Sequence, residues 1–322
     1  MHWLAELDGR RISVEAPAST ANLGAGYDCL GLALSMVDRI DLEVRSWSRG
    51  AVELTVEGEG AGELPEDRSN RFVRGLEAVF EEMRGPLPEG VGWRVRMRND
   101  IPLTRGLGSS AAATVGGMLA ANTLLGEPLT AHDLLRLATA IEGHPDNAAA
   151  ALFGGFTVAA RVGDGPDDQI EALRFDAPRD LRAILFIPER RLSTADMRRA
   201  LPATVPLADA VANVGRVALG VAGLATGRHE LLRALTVDRL HEQYRAAAFP
   251  ELPLLIEAAR GAGAIGACLS GAGSTVVAFA DSMSAFTRIE GAFAAVAADR
   301  DLPGRVEIVV PRNTGARVIA GA

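Results

Sequence analysis

The sequence predicts a chain of about two domains that mixes β-strands with α-helices. Three observations lead there. At 322 residues the chain is about twice the usual domain length. Short alternating runs such as 93–98 have the period of strands, whereas 70–83 and 111–125 read as helices. Near mid-chain a polar Pro/Gly stretch, G-D-G-P-D-D-Q at 163–169, breaks the pattern. It divides the chain into expected domains 1–165 and 166–322.

In chain order, 11–15 alternates as a first strand. Residues 16–34 (A-P-A-S-T-A-N-L-G-A-G-Y-D-C-L-G-L-A-L) carry a proline and two glycine turns with little period, and read as a loop. Its polar groups, Asn22 and Asp28, suit a binding site or plain turn chemistry. Two further strands, 40–45 and 52–57, suggest a meander. A helix at 70–83 gathers Phe72, Val73, Leu76, Val79 and Phe80 near one face. The strand 93–98 places Arg94, Arg96 and Arg98 on a wet face. Thr130 caps a helix over 134–141 with Asp133 in its first turn. Later come a buried strand at 183–187 and a capping-box variant at Ser193, Thr194, Ala195 and Asp196. Arg198 follows Thr194 by one helical turn. An apolar helix covers 208–225, with helices at 231–235, 237–247 and 254–260. Arg245 lies in the second of these three, where a solvated helix face is the plain alternative. A strand, glycine turn and strand occupy 267–280, and late strands fall at 306–310 and 316–319.

Composition narrows the function. Net charge is −8 and the basic residues are dispersed, which argues against nucleic-acid binding. Two cysteines, Cys29 and Cys268, form no disulfide framework and fit a reducing cytosol. The N-terminal stretch lacks a basic segment followed by an apolar one, so no signal peptide is expected. Residues 106–126 are uncharged, but their glycines, serines and Asn122 favour a small-residue core helix over a membrane span.

The stretch with most chemistry is 102–112, P-L-T-R-G-L-G-S-S-A-A. It joins a strand to a helix through two glycines and two serines, and serine is a favoured N-cap. First-turn amides lack partners and carry partial positive charge, and glycine lets a phosphate approach them. A Walker A loop is excluded, since no lysine follows the glycines. Gly106, Gly108 and Ala111 match a dinucleotide fingerprint formally, but its strand should be apolar on both faces. A phosphate cradle and an ordinary capped helix both remain open on residue chemistry alone.

A second cluster, Glu142-Gly143-His144-Pro145-Asp146-Asn147, offers two carboxylates, an imidazole and an amide within six residues. Zinc would need a second cluster with ligand spacing. Mg²⁺ suits one or two carboxylates shared with nucleotide phosphates. Gly143 and Pro145 also fit a simple helix stop. Residues 16–27, 106–126, 147–160 and 261–280 are all uncharged and rich in Gly or Ala. Such stretches suit backbone approach to a shared site, and equally suit core packing.

The run 102–112 resembles the phosphate-binding motif of the GHMP kinases, the superfamily of galactokinase, homoserine kinase, mevalonate kinase and phosphomevalonate kinase. Four more blocks resemble homoserine kinases in order: A-P-A-S-T-A-N-L-G-A-G-Y-D, E-G-H-P-D-N, R-L-S-T-A-D-M-R-R-A-L-P with H-E-Q-Y-R-A-A-A-F-P, and G-A-C-L-S-G-A-G-S-T. Tyr27, Ala25 and Ser274 depart from the usual phenylalanine and two prolines, without removing a charged group. The resemblance implies an α+β fold of two lobes. The first would resemble ribosomal protein S5 domain 2, the second would be ferredoxin-like, and the site would lie between them.

It also implies ATP along Pro102, Leu103, Thr104, Arg105, Gly106, Leu107, Gly108, Ser109, Ser110, Ala111 and Ala112, with Asn70 near the adenine. Mg²⁺ would sit on Ser110 and Glu142. The implied acceptor is L-homoserine, phosphorylated on its hydroxyl to O-phospho-L-homoserine in threonine biosynthesis. Its carboxylate suits the guanidinium groups of Arg198 and Arg245, and its ammonium suits Asp28, Asn22 or Asn147. Thr194 would orient it, Asn147 would touch the reacting hydroxyl, and Asp146 is a candidate base. Arg245 would also offset developing charge. Mevalonate, with no ammonium, gives Asp28 no role. Another small-molecule kinase and a nucleotide-binding regulator are the alternatives. Cytoplasmic location fits the cysteines, and a homodimer follows by analogy.

Overall fold

The computed structural model describes residues 6–45, 50–88, 90–163 and 169–321. Its first sheet is built on a long antiparallel hairpin of β1 (Arg11–Ala21) and β2 (Leu30–Arg45). Their register runs from Arg11 opposite Glu43 to Ala21 opposite Gly31, and slips between Pro17 and Ser19. The loop expected at 16–34 therefore shrinks to 22–29. Proline is tolerated at such an irregularity. Residues on both sides of the turn are buried on both faces, which erases the alternation that marks a strand.

The expected meander is also corrected. β3 (Val52–Gly58) pairs in parallel with β4 (Gly92–Asn99), and β4 inserts between β2 and β3. Parallel neighbours need a crossover, which α1 (Arg71–Arg84) supplies. Asn70 caps α1 by accepting the Phe72 N–H at 3.0 Å. β4 alternates as expected. Trp93, Val95 and Met97 are buried, while Arg94, Arg96 and Arg98 face outward and pair with Glu53, Glu57 and Asp41.

α1, α2 (Ser109–Leu124), α3 (Ala131–Glu142) and α4 (Asp146–Phe153) pack in one core with the apolar side chains of that sheet. The small residues of α2 allow backbone contact. A Cβ on Gly117 would lie 2.0 Å from the Phe72 carbonyl, and one on Gly75 would lie 2.2 Å from that of Thr114. The uncharged run is thus a core helix. Thr130 and Asp133 form the expected capping box on α3.

β5 (Phe156–Val162) and β6 (Gln169–Phe175) form a hairpin joined to the first sheet through β2. The expected domain boundary falls between these two strands, on residues 164–168, which lie outside those described. A polar Pro/Gly stretch suits a link between strands as well as one between domains. Sheet membership changes between Phe175 and Arg182. The final strand, 317–320, returns to β1.

The second sheet holds β7 (Arg182–Pro188), β8 (Gly266–Leu269), β9 (Val276–Ala280) and β10 (Gly304–Val309), in order β10–β7–β9–β8, all antiparallel. Between β7 and β8 lie α5 (Thr194–Arg199), α6 (Leu207–Ala225), a 3₁₀ turn at His229–Leu231, α7 (Leu232–Leu235), α8 (Glu242–Arg245) and α9 (Leu252–Gly261). α10 (Met283–Asp299) precedes β10, and β11 (Arg317–Ala320) closes the first sheet. This is the ferredoxin-like order. Alternate residues divide the sheet's faces. Ala183, Leu185, Ile187, Val277 and Phe279 join Ala16, Leu32 and Leu107 of the first lobe in one apolar cluster. Ile184, Phe186, Val276 and Ala278 pack instead with Leu255, Ile289 and Phe293.

The helix expected over 237–247 is only the single turn α8. The Asp238 carboxylate accepts the N–H groups of Leu240, His241 and Glu242, a side-chain bond that competes with an earlier helix start. α6 is long and apolar enough to cross a membrane by length and composition, and it exposes Leu207, Val211, Val214 and Leu219.

Candidate active site

The loop between β4 and α2 turns on two glycines. Gly106 has φ +74° and Gly108 has φ +71°. Gly108, not a serine, is the N-cap, and no side chain caps α2. The left-handed conformation at this position suits glycine. Ser109, Ser110 and Ala111 are left in the first turn, whose amides have no intrahelical acceptor. Both glycines are also sites of close approach. A Cβ at Gly106 would lie 2.0 Å from the Ser270 carbonyl, and one at Gly108 would lie 2.1 Å from Ser19 Oγ. Leu107 anchors the loop in the interlobe core.

This loop lines a cleft of ≈ 680 Å³ together with Asn22, Asp28, Glu142, His144, Asp146, Asn147, Thr194, Arg198 and Arg245. A second pocket of ≈ 760 Å³ shares Thr104, Ser109 and Ser110 with it. Leu103 and Asn70 line that second pocket. The Asn70 amide is already engaged, accepting from Phe72 and donating to the Pro65 carbonyl. Two residues of the expected phosphate run line neither pocket. Arg105 donates to the carbonyls of Leu103, Pro188 and Glu189, clamping the loop to the end of β7. Ala112 is buried in the interlobe core.

At the mouth of α2, Ser110 Oγ lies 3.0 and 2.9 Å from the two Glu142 oxygens, and Thr114 Oγ1 donates to one of them at 2.8 Å. Helix α3 ends at Glu142, with Gly143 at its C-cap. The chain then turns into α4, which starts at Asp146. Asp146 is 2% exposed, and its Oδ1 accepts the Asn147 N–H at 2.7 Å and faces His144 Nδ1 at 2.5 Å. Burial pulls the His144 imidazole down, but the bond and charge of Asp146 outweigh it and leave its pKa raised. Asn147 Oδ1 accepts from Ser19 Oγ at 2.9 Å.

Across the cleft, Arg198 grips Asp28 with both terminal nitrogens at 2.9 and 2.7 Å, and also donates to the Tyr27 hydroxyl at 2.9 Å. The two residues expected to take opposite ends of a zwitterion thus hold each other. Asn22 stabilises the loop itself, donating to the Gly271 carbonyl and accepting the Asp28 N–H. Ser193 rather than Thr194 caps α5. Arg245 is 2% exposed, and burial lowers its pKa from the ordinary value. Asp28, His144 and Asp146 offer ligand atoms within 4.8 Å of one another, but Asp28 is already committed to a guanidinium.

All the residues expected at substrate or metal therefore meet in one cleft. Ser19, Tyr27 and His241 stand behind it, bonded to its Asn147, Arg198 and Arg245, without having been singled out for a role. Tyr27 stood out only as a departure from a phenylalanine, and Ser19 lay in a stretch read as loop.

The chain matches the models for the GHMP kinases N terminal domain over residues 70–155 and for the GHMP kinases C terminal over residues 221–298. It is 41% identical to the homoserine kinase of Moorella thermoacetica, over 95% of this chain and 99% of that one. It is 46% identical to the homoserine kinase of Mycobacterium sp. (strain JLS), over 81% and 82%. Among solved structures it resembles that of homoserine kinase from Cytophaga hutchinsonii, with a TM-score of 0.82 at 30% identity, over 96% and 97% of the two chains.

Proposed function

The chain belongs to the GHMP kinases, within the homoserine kinase family, and from that premise we propose that it moves the γ-phosphoryl group of ATP onto the hydroxyl of L-homoserine, giving O-phospho-L-homoserine. The observation that carries this reading is the phosphate loop itself, which lines two adjoining pockets at once. The base and ribose occupy the pocket beside Asn70. The triphosphate lies on the Gly106–Ala111 amides. The acceptor takes the cleft between Asp28, Arg198 and Arg245.

Mg²⁺ fits the oxygen-only pair of Ser110 and Glu142, which already lie within 3.0 Å of each other. When bound, it neutralises charge on the phosphates. The chain's own groups do the rest by positioning, which dominates phosphoryl transfer. Homoserine lies alongside the Asp28–Arg198 pair, its ammonium toward Asp28 and its carboxylate toward Arg198 and Arg245, so that four charges alternate. Thr194 offers a hydroxyl beside them. Asn147, braced by Ser19, holds the attacking oxygen. Arg245 faces the charge that develops during transfer.

Threonine biosynthesis and the cytoplasm belong to the same reading. The latter is supported by two free cysteines. The exposed apolar residues of α6 support a homodimer, which sedimentation would check. Release of ADP against homoserine, mevalonate, shikimate and threonine tests the reading. Turnover with homoserine far above the rest is expected. ATP binding without ADP release would refute it.

A further inference from the structure

Arg245 sits in a short helical turn with little local support, yet it must hold one orientation to meet a carboxylate. Its environment supplies that orientation. Nη1 lies 3.0 Å from the Gly271 carbonyl and 3.1 Å from His241 Nδ1. Nε reaches the Met197 carbonyl at 3.4 Å. A terminal guanidinium nitrogen carries two hydrogens, so Nη1 is fully used, and Nη2 is the donor left for a ligand.

His241 can accept only in one tautomer. Its ring is 0% exposed, and its other nitrogen, Nε2, lies 2.8 Å from the Gly24 carbonyl. A carbonyl accepts and never donates, so Nε2 holds the hydrogen and Nδ1 presents its lone pair to Arg245. Burial drives the His241 pKa down to about 4, so the ring stays neutral beside its cationic neighbour at ordinary pH. Tyr27 closes the third side. Its ring lies 5.2 Å from that of His241, and the guanidinium carbons of Arg245 and Arg198 sit 5.4 and 5.6 Å from its centroid.

We propose that His241 is a positioning residue, which fixes the Arg245 guanidinium so that Nη2 meets the carboxylate of the acceptor. The inference rests on the reading that Arg245 binds that carboxylate. Asparagine can present an acceptor near the place of Nδ1; leucine cannot.

The test compares wild type, His241→Leu and His241→Asn on two acceptors, homoserine and 3-aminopropan-1-ol, which lacks the carboxylate. His241→Leu should raise the KM for homoserine by about tenfold or more, the scale of one hydrogen bond to a charged group. It should leave the KM for ATP within about twofold and that for 3-aminopropan-1-ol within about threefold, while any fall in kcat from a displaced Arg245 is shared by both acceptors. His241→Asn should recover most of the loss. An equal rise in KM on both acceptors would mean a structural role only and would overturn the proposal, as would an unchanged homoserine KM. If His241→Leu does not fold, His241→Gln replaces it, since glutamine reaches toward the Gly24 carbonyl and not toward Arg245. A wild-type enzyme that does not prefer homoserine over 3-aminopropan-1-ol would instead sink the carboxylate site itself, and this proposal with it.

Discussion

Replacing Gly106 by alanine tests whether the phosphate loop works through its backbone. The new Cβ would lie 2.0 Å from the Ser270 carbonyl oxygen and 2.8 Å from the Gly273 nitrogen, both main-chain atoms. No side chain can swing aside, so the two loops must separate by about 1.5 Å to reach normal contact. Alanine at φ +74° adds about 1–2 kcal/mol of left-handed strain. Overpacking adds about 1–3 kcal/mol, so a loss of about 2–5 kcal/mol in stability is expected. A shift of about 1 Å at the reacting groups lowers the rate by about 10²-fold. Gly126→Ala is the control, because Gly126 has φ +81° and nothing within 4 Å of its added Cβ. It should cost about 1 kcal/mol with kcat unchanged. The assay is steady-state ADP release with varied ATP, alongside thermal melts. Wild-type kcat and ATP KM in Gly106→Ala would refute the argument.

Arg198→Lys keeps the charge but loses the two-pronged grip on Asp28. The homoserine KM should rise about 10–100-fold with ATP KM unchanged; an unchanged homoserine KM would remove Arg198 from the acceptor site. Asp146→Asn should lower kcat by less than about tenfold, because Asp146 Oδ1 is engaged by Asn147 and His144. A fall of about 10²–10⁴ would instead identify a general base. Asp38 is fully buried, and Oδ2 has no hydrogen-bond partner among the described residues. Burial raises its pKa from 3.8 to about 7, outweighing the N–H groups of Ile101 and Asp100. The folded form keeps a proton that the unfolded chain releases, so this stabilisation is full below about pH 4 and lost as pH rises through about 7. Asp38→Asn should flatten that fall in denaturant midpoint, and an unaltered slope would refute the assignment.

Sequence alone determined the parts whose chemistry is local. Glycines beside the entry to a small-residue helix define the Gly106–Ser110 loop wherever the chain goes afterwards. The alternation of 93–98 and the cap at Thr130 need only near neighbours. The types of groups that gather in the cleft, two guanidiniums, carboxylates and amides, were also legible as residues. Tertiary structure decided who meets whom. Residues 16–34 became strand and turn because burial on both faces hides a strand's period. β3 took β4 rather than β2 because α1 carried the chain across. Arg198 and Asp28, 170 positions apart, pair because folding places opposite charges side by side and each takes the nearest partner. Arg105 turned from phosphate to clamp for the same reason, since the carbonyls at the end of β7 came within its reach. A side chain's chemistry is set by its atoms, but its partner is set by register and burial, and those belong to the whole fold.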